Sequence, residues 1–307
     1  MTAAQSKLTA SHHRMMQQAT YAAVVVAVLL IVMKSVAFYI TGSVAMLGTL
    51  TDSVLDGAAS LLNLVAVRFS LTPADHEHRF GHGKAEALAG LGQSMLILAS
   101  SGFIIWESVK HILNPTPVEQ SLAGLVVTAA AIGLTLFLVA FQRRVVAQTG
   151  SLAIAADSTH YRGDLLMNLS ALASIFIAGV LGFALADAIG GLFIAALICY
   201  SAIQIALGSY NQLMDAELSD ADRDRIVAIA ESNPQVAGIH DLRTRKAGTQ
   251  TFIQFHLELD GTMSLVNAHM ISDNVEARIM EAFPEAQVII HQDPAGLEDV
   301  ASPVALA

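Results

Sequence analysis

The sequence predicts a polytopic α-helical membrane protein of six transmembrane helices followed by a small C-terminal α+β domain. Three observations carry that prediction: an apolar and charge-poor composition, six apolar segments long enough to cross a bilayer, and an acidic final third patterned like a soluble domain. Of 307 residues, 54% are hydrophobic and 14% charged, with a mean hydropathy of +0.57, against roughly 25% charged in an ordinary soluble domain. Residues 1–210 hold 10 Lys and Arg against 10 Asp and Glu, whereas residues 211–307 hold 6 against 16. An acidic, apolar chain of pI about 5.5 lacks the basic stripe that neutralises phosphates, so nucleic acid is excluded as a partner. A lipid bilayer is implied instead.

A spanning helix needs about 20 mostly apolar residues to cross about 30 Å of hydrocarbon. Segments 20–40, 44–69, 86–113, 122–141, 151–181 and 186–209 meet that length, the third and fifth with enough to project beyond the bilayer. Residues 1–19 read as a cytoplasmic N-terminal segment. Lys7, His12, His13 and Arg14 precede the first apolar run as in a signal peptide, but that run is too long and five others follow. Arg68, Arg79 and Lys84 flank the second-to-third link, and Arg143 and Arg144 the fourth-to-fifth. The turns at 41–42, 114–117 and 182–183 have neither Lys nor Arg. The positive-inside rule then places both termini in the cytoplasm.

The membrane-spanning helical region is expected over 20–209 and a soluble domain over 210–295. Within the latter, 220–232 has helical spacing, 236–245 and 251–260 alternate like strands around a turn at 246–249, 264–283 is helical and 287–291 is a strand,. The order is αββαβ. The tail, 296–307, is expected to be disordered. The single cysteine, Cys199, permits no intramolecular disulfide and no thiolate cluster, so any metal must be held by histidine and carboxylate.

A charged side chain near the bilayer centre costs about 2.5 to 3.5 kcal/mol on insertion scales. Asp52, Asp56 and Asp164 each fall inside an apolar segment. In DSVLD at 52–56 two carboxylates are four residues apart, hence on one helical face. HYRGD at 160–164 repeats the spacing with His160 and Asp164. Two helices thereby offer one nitrogen and three carboxylates, a donor set suited to tetrahedral zinc. The alternative is that each polar residue lies near a helix end, or pairs with Arg162 or Lys34 as a structural bridge.

The second-to-third link, PADHEHRFGHGK at 73–84, clusters His76, His78 and His82 beside Asp75. Asp75, His78 and His82 can form an open three-ligand site, although histidine-rich loops are also ordinary solvated links. In the soluble domain His240, His256, His269 and His291 with Asp293 come from separate elements. Several can converge, but spacing alone does not establish that they do.

Six stretches in order, YITGS at 39–43, DSVLD at 52–56, PADHEHRFGHGK at 73–84, HYRGD at 160–164, HDLRT at 240–244 and HQDP at 291–294, resemble the cation diffusion facilitator family, in particular its bacterial YiiP-like zinc and ferrous-iron transporters. The resemblance runs from about residue 15 to 294. It implies a homodimer with six transmembrane helices per subunit, a metallochaperone-like, ferredoxin-like cytoplasmic domain, and exchange of metal for protons across the bacterial inner membrane. Carried over residue by residue, it implies a transport site of Asp52, Asp56, His160 and Asp164, and a loop site of Asp75, His78 and His82. It also implies a cytoplasmic binuclear site of His240, His256, His269, His291 and Asp293.

The function expected is therefore secondary active export of Zn²⁺, with Cd²⁺ and Fe²⁺ as further candidates, by a non-enzyme. Zinc would be both cargo and structural ion. One rival is an intramembrane metalloenzyme, since zinc with three ligands and a water activates that water. No HExxH motif supports it: in HEHRF at 76–80, Phe80 stands where the second histidine would be. The other rival is a membrane-anchored metal sensor, which has no need of paired carboxylates inside the membrane.

Overall fold

The computed structural model describes residues 3–42, 44–113, 122–181 and 185–296. The expected turns at 114–117 and 182–183, and the tail from 297, lie outside the described residues. Six long helices come first: α1 (Ala3–Thr41), α2 (Val44–Ser70), α3 (Lys84–Leu113), α4 (Leu122–Thr149), α5 (Leu152–Leu181) and α6 (Ala186–Leu213). The αββαβ series follows as α7 (Asp220–Glu231), β1 (Val236–Ala247), β2 (Gln250–Leu259), α8 (Leu265–Ala282) and β3 (Ala286–Pro294). Two compact units result, one over Ser6–Leu213 and one beginning at Met214.

Among the described residues, α1, α2, α3, α4 and α6 are long and apolar enough to cross a membrane. The 30-residue α5 matches them in length, but its first half carries Asp157, His160, Arg162 and Asp164. Large apolar side chains such as Leu62, Phe103, Phe137 and Phe193 are exposed on the helical unit, as lipid-facing positions require. Its interior is built from small separate clusters. Ala23, Val26 and Leu30 of α1 meet Leu138 of α4 and Tyr161 of α5, while Ile97 of α3 meets Ile198 and Ala202 of α6. At Gly57 of α2 an added Cβ would lie 3.1 Å from Ile31 Cδ1 and 3.7 Å from Ala27 Cβ. The missing side chain therefore lets α1 approach α2 closely, beside Asp56.

The soluble unit has one three-stranded sheet, ordered β1-β2-β3, with β1 antiparallel and β3 parallel to β2. A parallel neighbour requires a crossover, and α8 supplies it. Alternation along the central strand buries Ile253, Phe255, Leu257 and Leu259 on one face,. These side chains pack on Ile226 of α7 and on Ile271, Val275 and Ile279 of α8. Both helices start with a capping serine: Ser219 Oγ accepts from the Asp222 N–H, and Ser264 Oγ from the Asn267 N–H,. Gly248 adopts φ 64° in the β1–β2 turn, where a glycine meets no steric penalty,.

Candidate metal centre

Helical spacing sets out the first cluster. Asp52 and Asp56 lie one turn apart on α2, and His160 and Asp164 one turn apart on α5. His160 Nε2 is 2.8 Å from Asp56 Oδ1 and 3.8 Å from Asp164 Oδ2. Ligand atoms of Asp56, His160 and Asp164 all lie within 4.8 Å of one another. A tetrahedral ion with bonds of about 2.0 to 2.2 Å separates its ligand atoms by about 3.4 Å, a value the two observed spacings bracket. Asp52 is not in that group of three. It lines the same cavity of about 510 Å³ from one turn earlier, among apolar walls that include Leu55, Ile97, Phe103 and Ile198.

Neither proposed structural bridge is present. Lys34 donates instead to the Thr49 carbonyl at 3.0 Å and to Ser53 Oγ at 2.6 Å, and Arg162 is exposed. Among the described residues, neither forms an ion pair with Asp52, Asp56 or Asp164.

Two buried acids outside the sequence-predicted site hold α5 in place. Asp157, wholly buried and three residues before His160, accepts from Gln93 Nε2 of α3 at 3.0 Å, Gln142 Nε2 of α4 at 2.6 Å and Ser60 Oγ of α2 at 3.4 Å. Ser60 also shares a hydrogen bond of 2.9 Å with the Tyr161 hydroxyl. Four helices thus converge on one carboxylate. Glu86 of α3, 2% exposed, accepts from Ser151 and from the backbone N–H groups of Leu152 and Ala153, capping the start of α5 from a neighbouring helix,. The available signal was an Asp and a Glu inside apolar segments, with buriable Gln93 and Gln142 in two others.

The second cluster sits between α2 and α3. Asp75 Oδ1 accepts from the N–H groups of Glu77 at 2.9 Å and His78 at 2.6 Å, an Asx-type turn that fixes the loop,. The two rings then face the carboxylate, His78 Nδ1 at 3.5 Å and His82 Nε2 at 3.4 Å. His82 is buried edge-on against Phe69, with ring centroids 4.5 Å apart. His76 is exposed and outside the cluster. The His78 N–H foremost, with the Glu77 N–H adding to it, holds the Asp75 carboxyl below the usual carboxylate range, so it stays anionic.

The third cluster is a product of strand register. His240 of β1 is paired with His256 of β2, and His256 with His291 of β3, so three histidines form a row across the sheet. Glu258 and Asp293, two residues further along their strands, share that face. Asp293 Oδ2 lies 2.7 Å from His256 Nδ1 and 3.4 Å from His240 Nε2, and its Oδ1 lies 3.2 Å from His291 Nε2. Glu258 Oε1 receives His240 Nδ1 at 3.0 Å. A bulge after His240 puts Asp241 at φ 48° and brings its Oδ2 to 3.8 Å from His256 Nε2,. His269, exposed on α8, is not in this cluster; its Nδ1 lies 3.6 Å from Asp273 Oδ1. A carboxylate that touches three imidazoles can bridge two ions, and imidazole with carboxylate is a donor set that holds zinc.

Comparison with known proteins agrees with this division. Residues 20–214 match the cation efflux transmembrane domain and residues 218–295 the cytoplasmic domain of cation efflux proteins. The cation-efflux pump FieF of Shewanella oneidensis is 46% identical over 266 residues, covering 87% of this chain and 90% of its own. Its namesake in Cronobacter sakazakii is 47% identical over 263 residues, covering 86% and 87%. Among solved structures, the zinc form of CzrB aligns with 27% of this chain and 94% of its own at 33% identity, with a TM-score of 0.26. The metal-bound C-terminal domain of CzcD from Thermotoga maritima aligns with 26% and 98% at 30% identity, with a TM-score of 0.25. With both of its domains matched and full-length relatives at this identity, the chain is a multi-pass membrane protein that belongs to the cation efflux family, the cation diffusion facilitators.

Proposed function

We propose that the protein exports zinc from the cytoplasm in exchange for protons, as a homodimer in the bacterial inner membrane with both termini cytoplasmic. The observation that carries this reading is the convergence of Asp56, His160 and Asp164 in a cavity also lined by Asp52, inside a unit whose helices have lipid-facing exteriors. One imidazole among carboxylates favours zinc, and after it Cd²⁺ and Fe²⁺, over the harder Mn²⁺. An imidazole donates to metal only when deprotonated, so zinc and a proton compete for His160. Alternating exposure of the site to the two sides then makes exchange a consequence of ligand chemistry.

The cytoplasmic cluster has a regulatory role in this reading. His240, His256, His291 and Asp293 bind zinc in the homodimer, so zinc stabilises the assembled pair by preferential binding to it. The loop site of Asp75, His78 and His82 binds the same ion with three ligands. The test is reconstitution into vesicles holding a zinc-sensitive dye. An imposed pH gradient drives zinc entry into wild-type vesicles, His160→Ala abolishes it, and His160→Asp weakens discrimination against Mn²⁺. Zinc flux indifferent to the gradient contradicts the exchange.

A further inference from the structure

We propose that Lys34 is the fixed counter-charge of the intramembrane metal centre, a positioning residue that makes the zinc-loaded site electrically neutral and keeps zinc from being held too tightly. The inference rests on the zinc reading of that site. Lys34 lies inside the α1 span, a stretch of mean hydropathy 2.5, where an ammonium needs a purpose. The close approach of α1 to α2 at Gly57 sets Lys34, one turn beyond Ile31, against the turn of α2 that holds Ser53. Its two hydrogen bonds, to the Thr49 carbonyl and to Ser53 Oγ, are both to neutral oxygens.

Those bonds hold the ammonium beside the carboxylates without letting it occupy the ligand position. Ser53 is 1% exposed. It follows Asp52 directly and precedes Asp56 by three residues, a helical neighbour at about 5 to 6 Å between Cβ atoms. Three carboxylates, one ammonium and one divalent ion carry no net charge. In an apolar cavity a net charge is costly to hold and to move, so the loaded centre can change its access without carrying one across. The same ammonium repels the bound ion, which raises the rate of release.

The test is zinc transport in vesicles by Lys34→Gln, Lys34→Met and Lys34→Arg, reading KM and turnover separately. Removing the positive charge lowers KM for zinc at least ten-fold and slows turnover in both neutral variants, while Lys34→Arg keeps wild-type values. Simple loss of structure moves KM the other way or leaves it alone. An unchanged or raised KM in the neutral variants overturns the proposal, as does a Lys34→Arg protein that behaves like Lys34→Gln. Asp56→Ala, measured alongside, separates the two claims. If it keeps the wild-type KM, the zinc reading of the cavity fails; if it abolishes transport while Lys34→Gln leaves KM unmoved, only the role of Lys34 fails.

Discussion

Gln142→Leu isolates the tether that fixes α5. Gln142 is wholly buried on α4 and gives the shortest of the three hydrogen bonds to Asp157, 2.6 Å to Oδ2. The other two donors, Gln93 and Ser60, both serve Oδ1, so the substitution leaves Oδ2 without a partner. Leucine fills nearly the same volume, which confines the loss to the polar contact. Leaving a buried acceptor without its partner costs about 1 to 3 kcal/mol, and that is the loss expected here. We expect unfolding in mixed detergent micelles to show that loss, with weaker zinc transport because His160 and Asp164 ride on the loosened helix. In an Asp157→Leu background the same substitution should cost less than about 0.5 kcal/mol, since no carboxylate is left to strand. Equal costs in the two backgrounds would refute the tether.

Three further outcomes are expected. His256→Ala removes the ring that touches Asp293 at 2.7 Å and flanks both other histidines of the row; zinc affinity of the cytoplasmic cluster should fall by at least about 100-fold, and an unchanged zinc titration contradicts that cluster as a site. Asp75, whose carboxyl the His78 and Glu77 N–H groups hold below its usual range, should be more than half ionised at pH about 3.9 in a carboxyl-carbon NMR titration. Because its folded value is depressed, its stabilising contribution is present above the unfolded value and disappears as pH falls through the folded one; a midpoint at or above 3.9 refutes the assignment. Ile253→Ala, at a wholly buried position in β2, should destabilise the soluble unit by about 2 to 5 kcal/mol, read as faster hydrogen exchange across the sheet, and unaltered exchange rules out the proposed core.

Fold class was legible because two signals are nearly independent of tertiary structure: apolar length for the helical unit and strand alternation for the sheet. Helix ends were not. Hydropathy starts α1 near residue 20 and stops α4 near 141, whereas α1 begins at Ala3 and α4 runs to Thr149. His12, His13 and Arg14, like Gln142, Arg143 and Arg144, end an apolar run without breaking a helix, since no proline or glycine interrupts those turns,. The boundary of the bilayer and the boundary of the helix are different quantities.

The metal centre divides in the same way. Four-residue spacing puts Asp52 with Asp56 and His160 with Asp164 on single faces, which a sequence shows directly. Asp157 and Glu86 are not legible in the sequence because their partners lie on other helices, and only the assembled bundle brings Gln93, Gln142 and Ser151 to them. The histidine row needs strand register: His240, His256 and His291 are far apart in sequence, and only the β1-β2-β3 pairing aligns them. Asp241 enters through a bulge and Glu258 through strand periodicity, neither visible before the pairing is known.

The most direct measurement follows zinc and protons together in vesicles reconstituted with wild-type protein and with Asp56→Ala, under an imposed pH gradient. Proton movement opposite to zinc in the wild type, with both lost in Asp56→Ala, is the result expected of a centre built on Asp56, His160 and Asp164. Zinc movement without proton counterflow, or flux that survives Asp56→Ala, contradicts proton-coupled export through that centre.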